Sequence, residues 1–244
     1  MTNRIRADLL LVERGFYESR ARAQSAISAG LVLVDGVVIQ KSSSTISPNA
    51  EIIATAEHPW VSRGGVKLAA GLDEFGIDPR DQFCLDIGAS TGGFTDVLLN
   101  RQARHVVAVD VGHDQFHKGL SGNRRVTLFE GTDARTLKPS DFTELPSLIV
   151  VDVSFISLSI VLPPVLALGL SKAKLVALIK PQFEVGRAFL KKGIVKDEFA
   201  RNESVARIES QLTALGWHVI GLMPSPIAGG DGNIEFLIAA EKRD

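Results

Sequence analysis

Residues 84–99, CLDIGASTGGFTDVLL, determine which fold the chain can adopt. The apolar residues up to Ile87 are typical of a buried strand and FTDVLL is typical of a helix, so a tight turn lies between them. Glycines in that turn allow the backbone to approach a ligand without clashes from Cβ atoms. A strand, a glycine-rich turn and a helix together indicate a ligand-binding α/β sheet.

The spacing of the glycines distinguishes between possible ligands. Dinucleotide-binding turns read G-x-G-x-x-G, whereas this turn reads G-x-x-x-G-G and follows the acid Asp86. A carboxylate at that position would repel a pyrophosphate and attract the sulfonium and amino groups of S-adenosylmethionine. The residues of the turn that we predict to hold this cofactor are Asp86, Gly88, Ser90, Thr91, Gly92, Gly93 and Phe94.

Aspartates at the ends of later strands extend the predicted cofactor site. Asp110 ends HVVAVD, where its carboxylate can accept both ribose hydroxyls, and Val111 follows it. Asp133, in EGTDAR, is placed to accept the adenine amino group, and Asp152 ends a further strand. An aspartate at a strand end can instead form a turn or cap a helix. For each aspartate taken alone, that alternative stays open.

The second part of the chain alternates strands and helices. Its first predicted strands are FCLDIG, HVVAVDV, VTLFEG, LIVVDVS and LVALIK. Intervening helices predict parallel crossovers and a doubly wound sheet. The last two strands, WHVIGL and IEFLIAAE, are separated only by MPSPIAGGDGN, which predicts an antiparallel hairpin at the sheet edge. This order resembles the Rossmann-like fold of S-adenosylmethionine-dependent methyltransferases, with a mostly parallel sheet and an antiparallel final strand.

Residues 1–58 are predicted to form a small module of two helices followed by a hairpin at Asp35-Gly36. The pattern R-x-D-x-x-L-V-x-x-G-x-x-x-S-R-x-x-A, followed by G-x-V-x-V-D-G, resembles the S4 RNA-binding module, although Ala7 replaces the usual leucine. The alternative is that its arginines are ordinary surface residues. The residues that the resemblance suggests for RNA binding are Arg4, Arg6, Ser19, Arg20, Arg22, Gln24, Lys41 and Arg63.

A linker is predicted at residues 59–66, because Pro59, Gly64 and Gly65 are typical of a domain boundary. The catalytic domain would then comprise residues 67–244. Ser62 is also a candidate cap for a helix that runs to Phe75. Lys67 lies off the apolar stripe of that helix, and taken alone it is predicted to be a solvated lysine.

The stretch LVALIKPQFEVG, residues 175–186, places Lys180 where a buried strand ends. A buried strand leaves no water for an ammonium group. Lys180 therefore either reaches solvent or faces a cleft at the carboxyl edge of the sheet, where α/β sheets bind ligands. In the predicted topology Asp152 ends the fourth strand, Glu235 lies in the last strand, and Lys67 can approach them from the preceding helix.

These four residues resemble a known catalytic tetrad. Lys67, Asp152, Lys180 and Glu235 correspond to the Lys-Asp-Lys-Glu set of RNA 2′-O-ribose methyltransferases related to FtsJ. The segments VSRGGVKL, DIGASTGGFT, VDVSFISL and IKPQFEVG resemble the TlyA family, which joins an S4 module to that catalytic domain. The resemblance implies S-adenosyl-L-methionine as cofactor, no metal, and ribosomal RNA or ribosomal subunits as partner. It further implies methylation of a cytidine 2′-hydroxyl, for which Lys180 would be the general base.

The main alternative function is that of a pore-forming or membrane-active cytolysin. Some TlyA relatives are named hemolysin, and residues 148–170 form an apolar stretch long enough to cross a bilayer. However, Asp152 and the Pro163-Pro164 pair favour a strand, a loop and a helix that begins at the prolines. A catalytically silent RNA-binding protein would not need the complete tetrad, and the glycine spacing argues against an NAD-dependent oxidoreductase.

The composition is that of an ordinary globular protein. The 244 residues are 45% hydrophobic and 23% charged, with a net charge of −1. The single cysteine, Cys84, excludes an internal disulfide and a thiolate-rich zinc site. His113 and His117 are four residues apart without a third ligand, so no metal is predicted. The N-terminal MTNRIRADLL contains no apolar signal core, which with the lone cysteine predicts a cytoplasmic location.

Overall fold

The computed structural model describes residues 4–55, 58–230 and 232–243. The chain forms two compact units, residues 1–59 and residues 60–244. Residues 60–66, which we predicted as part of the linker, belong to the second unit, and a helix begins among them at Arg63.

In the first unit, residues 4–55 and 58–59 form two helices and five short strands. In chain order these are β1 (Ile5–Arg6), α1 (Ala7–Glu13), α2 (Arg20–Ser28), β2 (Val32–Val34), β3 (Val37–Val38), β4 (Thr45–Ile46) and β5 (Ile52–Ala54). The β2–β3 hairpin turns at Asp35 and Gly36, whose φ angles of 50° and 78° suit a tight hairpin turn, as predicted. Leu11 and Ile27 bring the two helices together in an apolar core.

The described residues of the second unit form six helices and nine strands. They are α3 (Arg63–Glu74), β6 (Phe83–Ile87), α4 (Gly93–Asn100), β7 (His105–Val109), α5 (Lys118–Ser121), β8 (Val126–Phe129), β9 (Leu148–Val151), α6 (Leu158–Ala167), β10 (Lys174–Ile179), α7 (Pro181–Glu184), β11 (Leu190–Lys191), β12 (Ile194–Val195), α8 (Glu198–Ala214), β13 (Trp217–Pro224) and β14 (Phe236–Lys242). Short 3₁₀ turns lie at Ala134–Thr136, Pro139–Asp141 and Arg187–Phe189.

Seven of these strands form one sheet in the order β13-β14-β10-β9-β6-β7-β8. The five strands from β10 to β8 are parallel, whereas β14 is antiparallel to both β10 and β13. Both faces are covered: Ile149 packs into the cluster that contains Leu162 of α6, and Val150 packs into the cluster that contains Leu72 of α3. The predicted fold class, a methyltransferase-type sheet with antiparallel final strands, is confirmed.

The apolar stretch 148–170 folds as β9, a loop and α6. The helix begins at Leu158 rather than at the prolines, so that part of the prediction is wrong. Ser157 caps the helix by accepting the Ser159 N–H at 3.1 Å, and the Glu184 carboxylate accepts hydrogen bonds from the Leu158 N–H and the Ser157 hydroxyl, both at 2.6 Å. Pro163 cannot donate to the Ser159 carbonyl, which instead accepts a hydrogen bond of 2.7 Å from Gln211 Nε2.

Among the described residues, no helix is both long enough and apolar enough to cross a membrane.

Candidate active site

The turn after β6 lies close to the end of β9. Gly88 has a φ of 81°, and a methyl group on it would overlap the carbonyl oxygen of Asp152. Gly92 has a φ of 92°, and a methyl group there would lie 2.6 Å from the Leu120 side chain. Only glycine satisfies both the left-handed backbone and the short approach at these positions. The turn is therefore held tightly against the carboxyl edge of the sheet.

A cavity of about 550 Å³ opens beside this turn, along the ends of β6, β7 and β9. That volume is in the range of pockets that enclose a small-molecule cofactor. Of the residues predicted to hold the cofactor, those that line the cavity are Gly88, Ser90, Asp110, Val111, Asp133 and Asp152. The others, Asp86, Thr91, Gly92, Gly93 and Phe94, do not line it and belong to the supporting structure around the turn.

Asp110 joins two loops at the cavity wall. Its Oδ2 accepts a hydrogen bond from the Ser90 N–H, and its Oδ1 accepts one from the Gly112 N–H, both at 2.7 Å. A carboxylate oxygen has a second lone pair, so both oxygens keep acceptor capacity for ligand hydroxyls. The side chain is therefore fixed in orientation and still able to bind.

Asp133 is engaged with a neighbour. Its carboxylate pairs with the Arg135 guanidinium, with a closest distance of 2.6 Å, and it caps a 3₁₀ turn by accepting the Arg135 N–H. The hydrogen bonds from Arg135 lower the pKa of Asp133. The capping alternative considered for this aspartate therefore holds, and the residue also lines the cavity.

Asp86 lies beneath the turn with its side chain fully buried. The Thr95 hydroxyl donates to Asp86 Oδ2 at 2.6 Å, and Oδ1 has no partner among the described residues. Burial raises the pKa of Asp86 to about 7. In this position the carboxyl group supports the start of α4 instead of reaching the cavity.

We expect Asp86→Asn to stabilise the protein more at pH 8 than at pH 5. Because the pKa of Asp86 is raised, the folded state keeps a proton that the unfolded state releases above about pH 4. The free energy of unfolding of the unaltered protein therefore falls as the pH rises from about 4 to about 7. The full loss of unfolding free energy, on the order of 4 kcal/mol, is reached only above about pH 7. Calorimetric melting at both pH values measures the difference. The exposed Asp81→Asn is the control, and an equal gain at both pH values for Asp86→Asn would contradict the assignment.

Lys180 follows β10 directly and faces the end of β9. Its Nζ lies 2.7 Å from Asp152 Oδ1 and donates to the Ser154 hydroxyl at 2.7 Å. Only 11% of the Lys180 side chain is exposed. Asp152 and Ser154 also line the cavity, so the ammonium group lies at its border. Of the two alternatives for this lysine, the structure supports the cleft.

Lys67 and Glu235 form a second, buried pair. Lys67 Nζ lies 2.5 Å from Glu235 Oε2, with 9% and 3% of the two side chains exposed. Gln182 Nε2 donates to Glu235 Oε1 at 3.2 Å. The expectation of a solvated Lys67 is wrong, because an acid distant in sequence neutralises it inside the fold. Glu235 precedes β14, which begins at Phe236, and so lies just outside the strand in which we predicted it.

Helix α3 brings the two pairs to the same end of the sheet. A methyl group on Gly64 would lie 3.7 Å from Asp152 Oδ2. Lys67 is three residues further along, so it lies on the same face of the helix as Gly64. All four predicted catalytic residues therefore lie at the carboxyl edge of the sheet, and Asp152 among them lines the cavity.

Two features of this edge were not predicted from the sequence. Phe155 lines the cavity, is 92% exposed and has a φ of 65°, which is uncommon for a non-glycine residue. Its ring lies 5.2 Å from that of Phe183. Gln115 also lines the cavity. Asp152 was predicted because it follows a buried strand. Phe155 lies three residues further along the same segment, VDVSF, so the same reasoning could have included it.

A basic hairpin, formed by β11 and β12 within residues 187–196, is held by Asn233, which lies two residues before Glu235. Asn233 is 2% exposed and binds both strands: its Oδ1 accepts the Val195 N–H at 3.0 Å, and its Nδ2 donates to the Gly193 carbonyl at 2.9 Å. The hairpin segment contains no acid. Its exposed cations, none of which forms an ion pair within the described residues, are Arg187, Lys191, Lys192 and Lys196.

The candidate RNA-binding residues of the first unit are mostly at the surface and partly engaged with one another. Arg4 donates to the Thr45 carbonyl at 2.7 Å, Ser19 caps α2, and Lys41 is exposed. Arg22 pairs with Glu18 at 3.7 Å. The remaining three, Arg6, Arg20 and Gln24, converge on Asp8. In the second unit, Arg63 donates to the Ala228 carbonyl at 2.7 Å.

The two histidines considered for metal binding have other surroundings. His117 accepts the Gly119 N–H at the start of α5, and the ring of His113 packs against Gly131. Within residues 4–55, 58–230 and 232–243, no three His, Cys, Asp or Glu side chains are grouped to hold a metal ion.

The chain is similar to known proteins along its length. Residues 60–242 match the FtsJ-like methyltransferase family, and residues 5–52 match the S4 domain. The 16S/23S rRNA (cytidine-2′-O)-methyltransferase TlyA of Mycobacterium tuberculosis is 42% identical over 241 residues, which are 98% of this chain and 90% of that protein. The 23S rRNA (cytidine-2′-O)-methyltransferase TlyA of Campylobacter jejuni is 36% identical over 225 residues, 91% of this chain and 81% of that one.

A solved structure of a hemolysin-named protein from Streptococcus thermophilus has the same architecture. Its TM-score is 0.79 at 40% identity, and the match covers 100% of this chain and 90% of that chain.

Proposed function

Because this chain belongs to the TlyA family, in which an S4 domain accompanies an FtsJ-like methyltransferase domain, we propose that it methylates the ribose 2′-hydroxyl of a cytidine in ribosomal RNA. The observation that carries the proposal is the pair of lysine–carboxylate contacts, Lys180–Asp152 and Lys67–Glu235, beside the cavity. An enzyme that acts on ribosomal RNA would work in the cytoplasm.

S-adenosylmethionine, when bound, supplies an electrophilic methyl group. The cavity fits such a cofactor because Asp110 keeps acceptor capacity for ribose hydroxyls and the Gly88 turn leaves backbone exposed beside it. Asp133 would face the amino group of the cofactor's adenine and Val111 would face the adenine ring. Both residues line the cavity. Asp86 supports the turn from beneath and keeps the start of α4 in place.

The proposed reaction requires removal of the proton of a ribose hydroxyl, which is a poor nucleophile while protonated. We assign that step to Lys180, which must be neutral to accept the proton. Asp152 and Ser154 fix its position through the contacts at 2.7 Å. Lys67 and Glu235 neutralise each other inside the fold, so we assign them to positioning of the substrate and of the edge of the sheet.

Three surfaces are suited to the RNA. Phe155 and Phe183 offer aromatic rings at the border of the cavity, on which an unstacked base could lie. The basic hairpin, which Asn233 holds in place, offers exposed cations to the neighbouring phosphates. The S4 unit supplies a further basic surface through Arg6 and Arg20.

The cofactor assignment predicts that Asp110→Asn weakens binding of S-adenosylmethionine by about 10- to 100-fold. Charge-assisted hydrogen bonds of this kind contribute roughly 1.5–3 kcal/mol each, and the amide cannot accept at both of its atoms. Titration calorimetry measures the affinity. Asp114→Asn, in the same loop and outside the cavity lining, is the matched control and should bind normally. Normal affinity in a folded Asp110→Asn protein would refute the assignment.

The proposed activity is tested by mapping 2′-O-methylation on ribosomal RNA from cells with and without the gene. The expected result is one or more cytidines that lose methylation in its absence and regain it when purified protein is added to the isolated subunits. Separate reactions with small and large subunits identify the target, since the relatives named above differ in this respect. Identical maps in both cell lines would refute the proposal.

A further inference from the structure

Asp8, in the first unit, is an acid whose side chain is fully buried. It lies in the first turn of α1, and its backbone N–H donates to the Ser42 carbonyl at 3.1 Å. No other charged side chain among the described residues of this unit is buried. A buried carboxylate is costly unless it is paired, so Asp8 depends on partners that neutralise its charge and donate to its oxygens.

Three side chains from two elements donate to this one carboxylate. Arg6 Nε donates to Oδ1 and Arg6 Nη2 to Oδ2, both at 3.0 Å. Arg20 Nη2 donates to Oδ2 at 3.0 Å, and Gln24 Nε2 donates to Oδ2 at 2.8 Å. The hydrogen bonds from Arg6 hold the pKa of Asp8 well below its usual range. The carboxylate therefore stays charged at every pH at which the protein would act.

The two arginines remain available to a second anion. Arg6 and Arg20 have 42% and 53% of their side chains exposed, although Asp8 itself has none. A guanidinium carries five N–H donors in a rigid fork. Asp8 uses two of those on Arg6 and one on Arg20, which leaves the outer edges of both forks directed away from the buried acid.

We propose that Asp8 is a positioning residue that holds Arg6 and Arg20 in one fixed arrangement for the phosphates of a structured RNA. Flexible arginines lose side-chain freedom when they bind, whereas arginines that are already immobilised do not. The inference rests on the proposed RNA-binding function and adds to it a specific role for an acid that would otherwise be expected to repel RNA.

For Asp8→Asn, the proposal predicts a change in RNA affinity opposite to the change that simple electrostatics predicts. Asp8→Asn removes a negative charge next to the RNA-binding surface, so a purely electrostatic effect would strengthen RNA binding. If Asp8 acts by positioning, the same change frees both guanidinium groups and weakens binding. We expect the Asp8→Asn protein to bind ribosomal RNA about tenfold more weakly at low salt, the loss expected when two long side chains must be ordered on binding.

The experiment measures RNA affinity of the full chain by fluorescence anisotropy over a range of salt concentrations. Glu13→Gln, which removes an exposed acid from the same helix, is the matched control and should bind equally well or slightly better. Asp8→Asn with affinity equal to or above that of the unaltered protein would overturn the proposal.

A double-mutant cycle separates this inference from the function on which it rests. Arg6→Ala combined with Arg20→Ala should weaken RNA binding and reduce its salt dependence, and adding Asp8→Asn to that protein should cause no further loss. If the arginine variant binds RNA normally, the S4 unit does not bind RNA through these residues. If it binds weakly but Asp8→Asn adds the same loss in both backgrounds, Asp8 does not act through the arginines.

A measurement on the unaltered protein covers the case in which Asp8→Asn does not fold. Nitrogen-15 relaxation of the arginine Nε groups reports side-chain order on the fast timescale. Arg6 Nε should be ordered in the absence of RNA, in contrast to the exposed Arg124, which has no hydrogen bond within the described residues. An Arg6 side chain as mobile as that of Arg124 would overturn the proposal.

Discussion

Replacement of Lys180 by alanine is expected to lower the single-turnover rate of methyl transfer by about 10²–10⁴-fold, the usual contribution of general-base catalysis. The lysine lies at the border of the cavity, where Asp152 and Ser154 fix its Nζ. Cofactor and RNA affinity should change much less, because the side chain is 11% exposed and its two contacts are internal. A quenched reaction on ribosomal RNA with tritiated methyl donor measures the rate.

Lys180→Arg separates base catalysis from electrostatic attraction. A guanidinium keeps its positive charge and cannot release its proton at any accessible pH. We therefore expect the arginine variant to be almost as slow as the alanine variant. Lys174→Ala, at the opposite end of the same strand, is the control and should react at the normal rate. A near-normal rate in Lys180→Arg would assign this lysine to positioning alone.

The residues at the carboxyl edge could be predicted because the register of a parallel sheet is regular. Ile87 pairs with Val109 and Val151, so the residues that follow these strands meet at one edge. Asp110, Asp152 and Lys180 each follow a buried apolar run in the sequence. A simple rule about strand ends therefore predicted residues that line the cavity and the members of one of the two lysine–carboxylate pairs.

Other features depended on contacts that the local sequence does not contain. The burial of Lys67 is decided by Glu235, a residue near the other end of the chain. The tolerance of Pro163 inside α6 depends on Gln211, whereas the start of that helix is marked in the local sequence by its cap, Ser157. Glu235 and Gln211 come from elements that are distant in sequence, so helical periodicity could not reveal their contacts.

Asp86 illustrates a limit of motif reasoning. The acid before a glycine-rich turn was expected to contact a positively charged ligand, yet its neighbour in the fold is Thr95. Asp86 lies on the face of β6 that packs against α4, the helix that contains Thr95, and it does not line the cavity above the strand ends. The glycine-rich motif predicted which turn lies beside the cavity. The direction of the Asp86 side chain could be determined only from the structure.

The buried pair Lys67–Glu235 should have the largest effect on stability. Removing one partner of a buried ion pair leaves an uncompensated charge, which costs about 3–5 kcal/mol. Lys67→Met is therefore expected to lower the melting temperature by roughly 6–20 °C, given about 2–4 °C per kcal/mol for a chain of this size. Differential scanning calorimetry of the purified proteins measures the shift.

A double variant distinguishes stability from catalysis at this pair. Lys67→Met combined with Glu235→Gln removes both charges, and glutamine can still accept the hydrogen bond from Gln182. Because replacing both members of a buried pair is often nearly neutral, most of the lost stability should return. Methyl transfer should stay low in the double variant, since the proposed positioning of the substrate requires the charged groups themselves. A double variant that melts as low as the sum of the single losses would show that the two side chains are not coupled, and one that recovers activity along with stability would reduce this pair to a structural role.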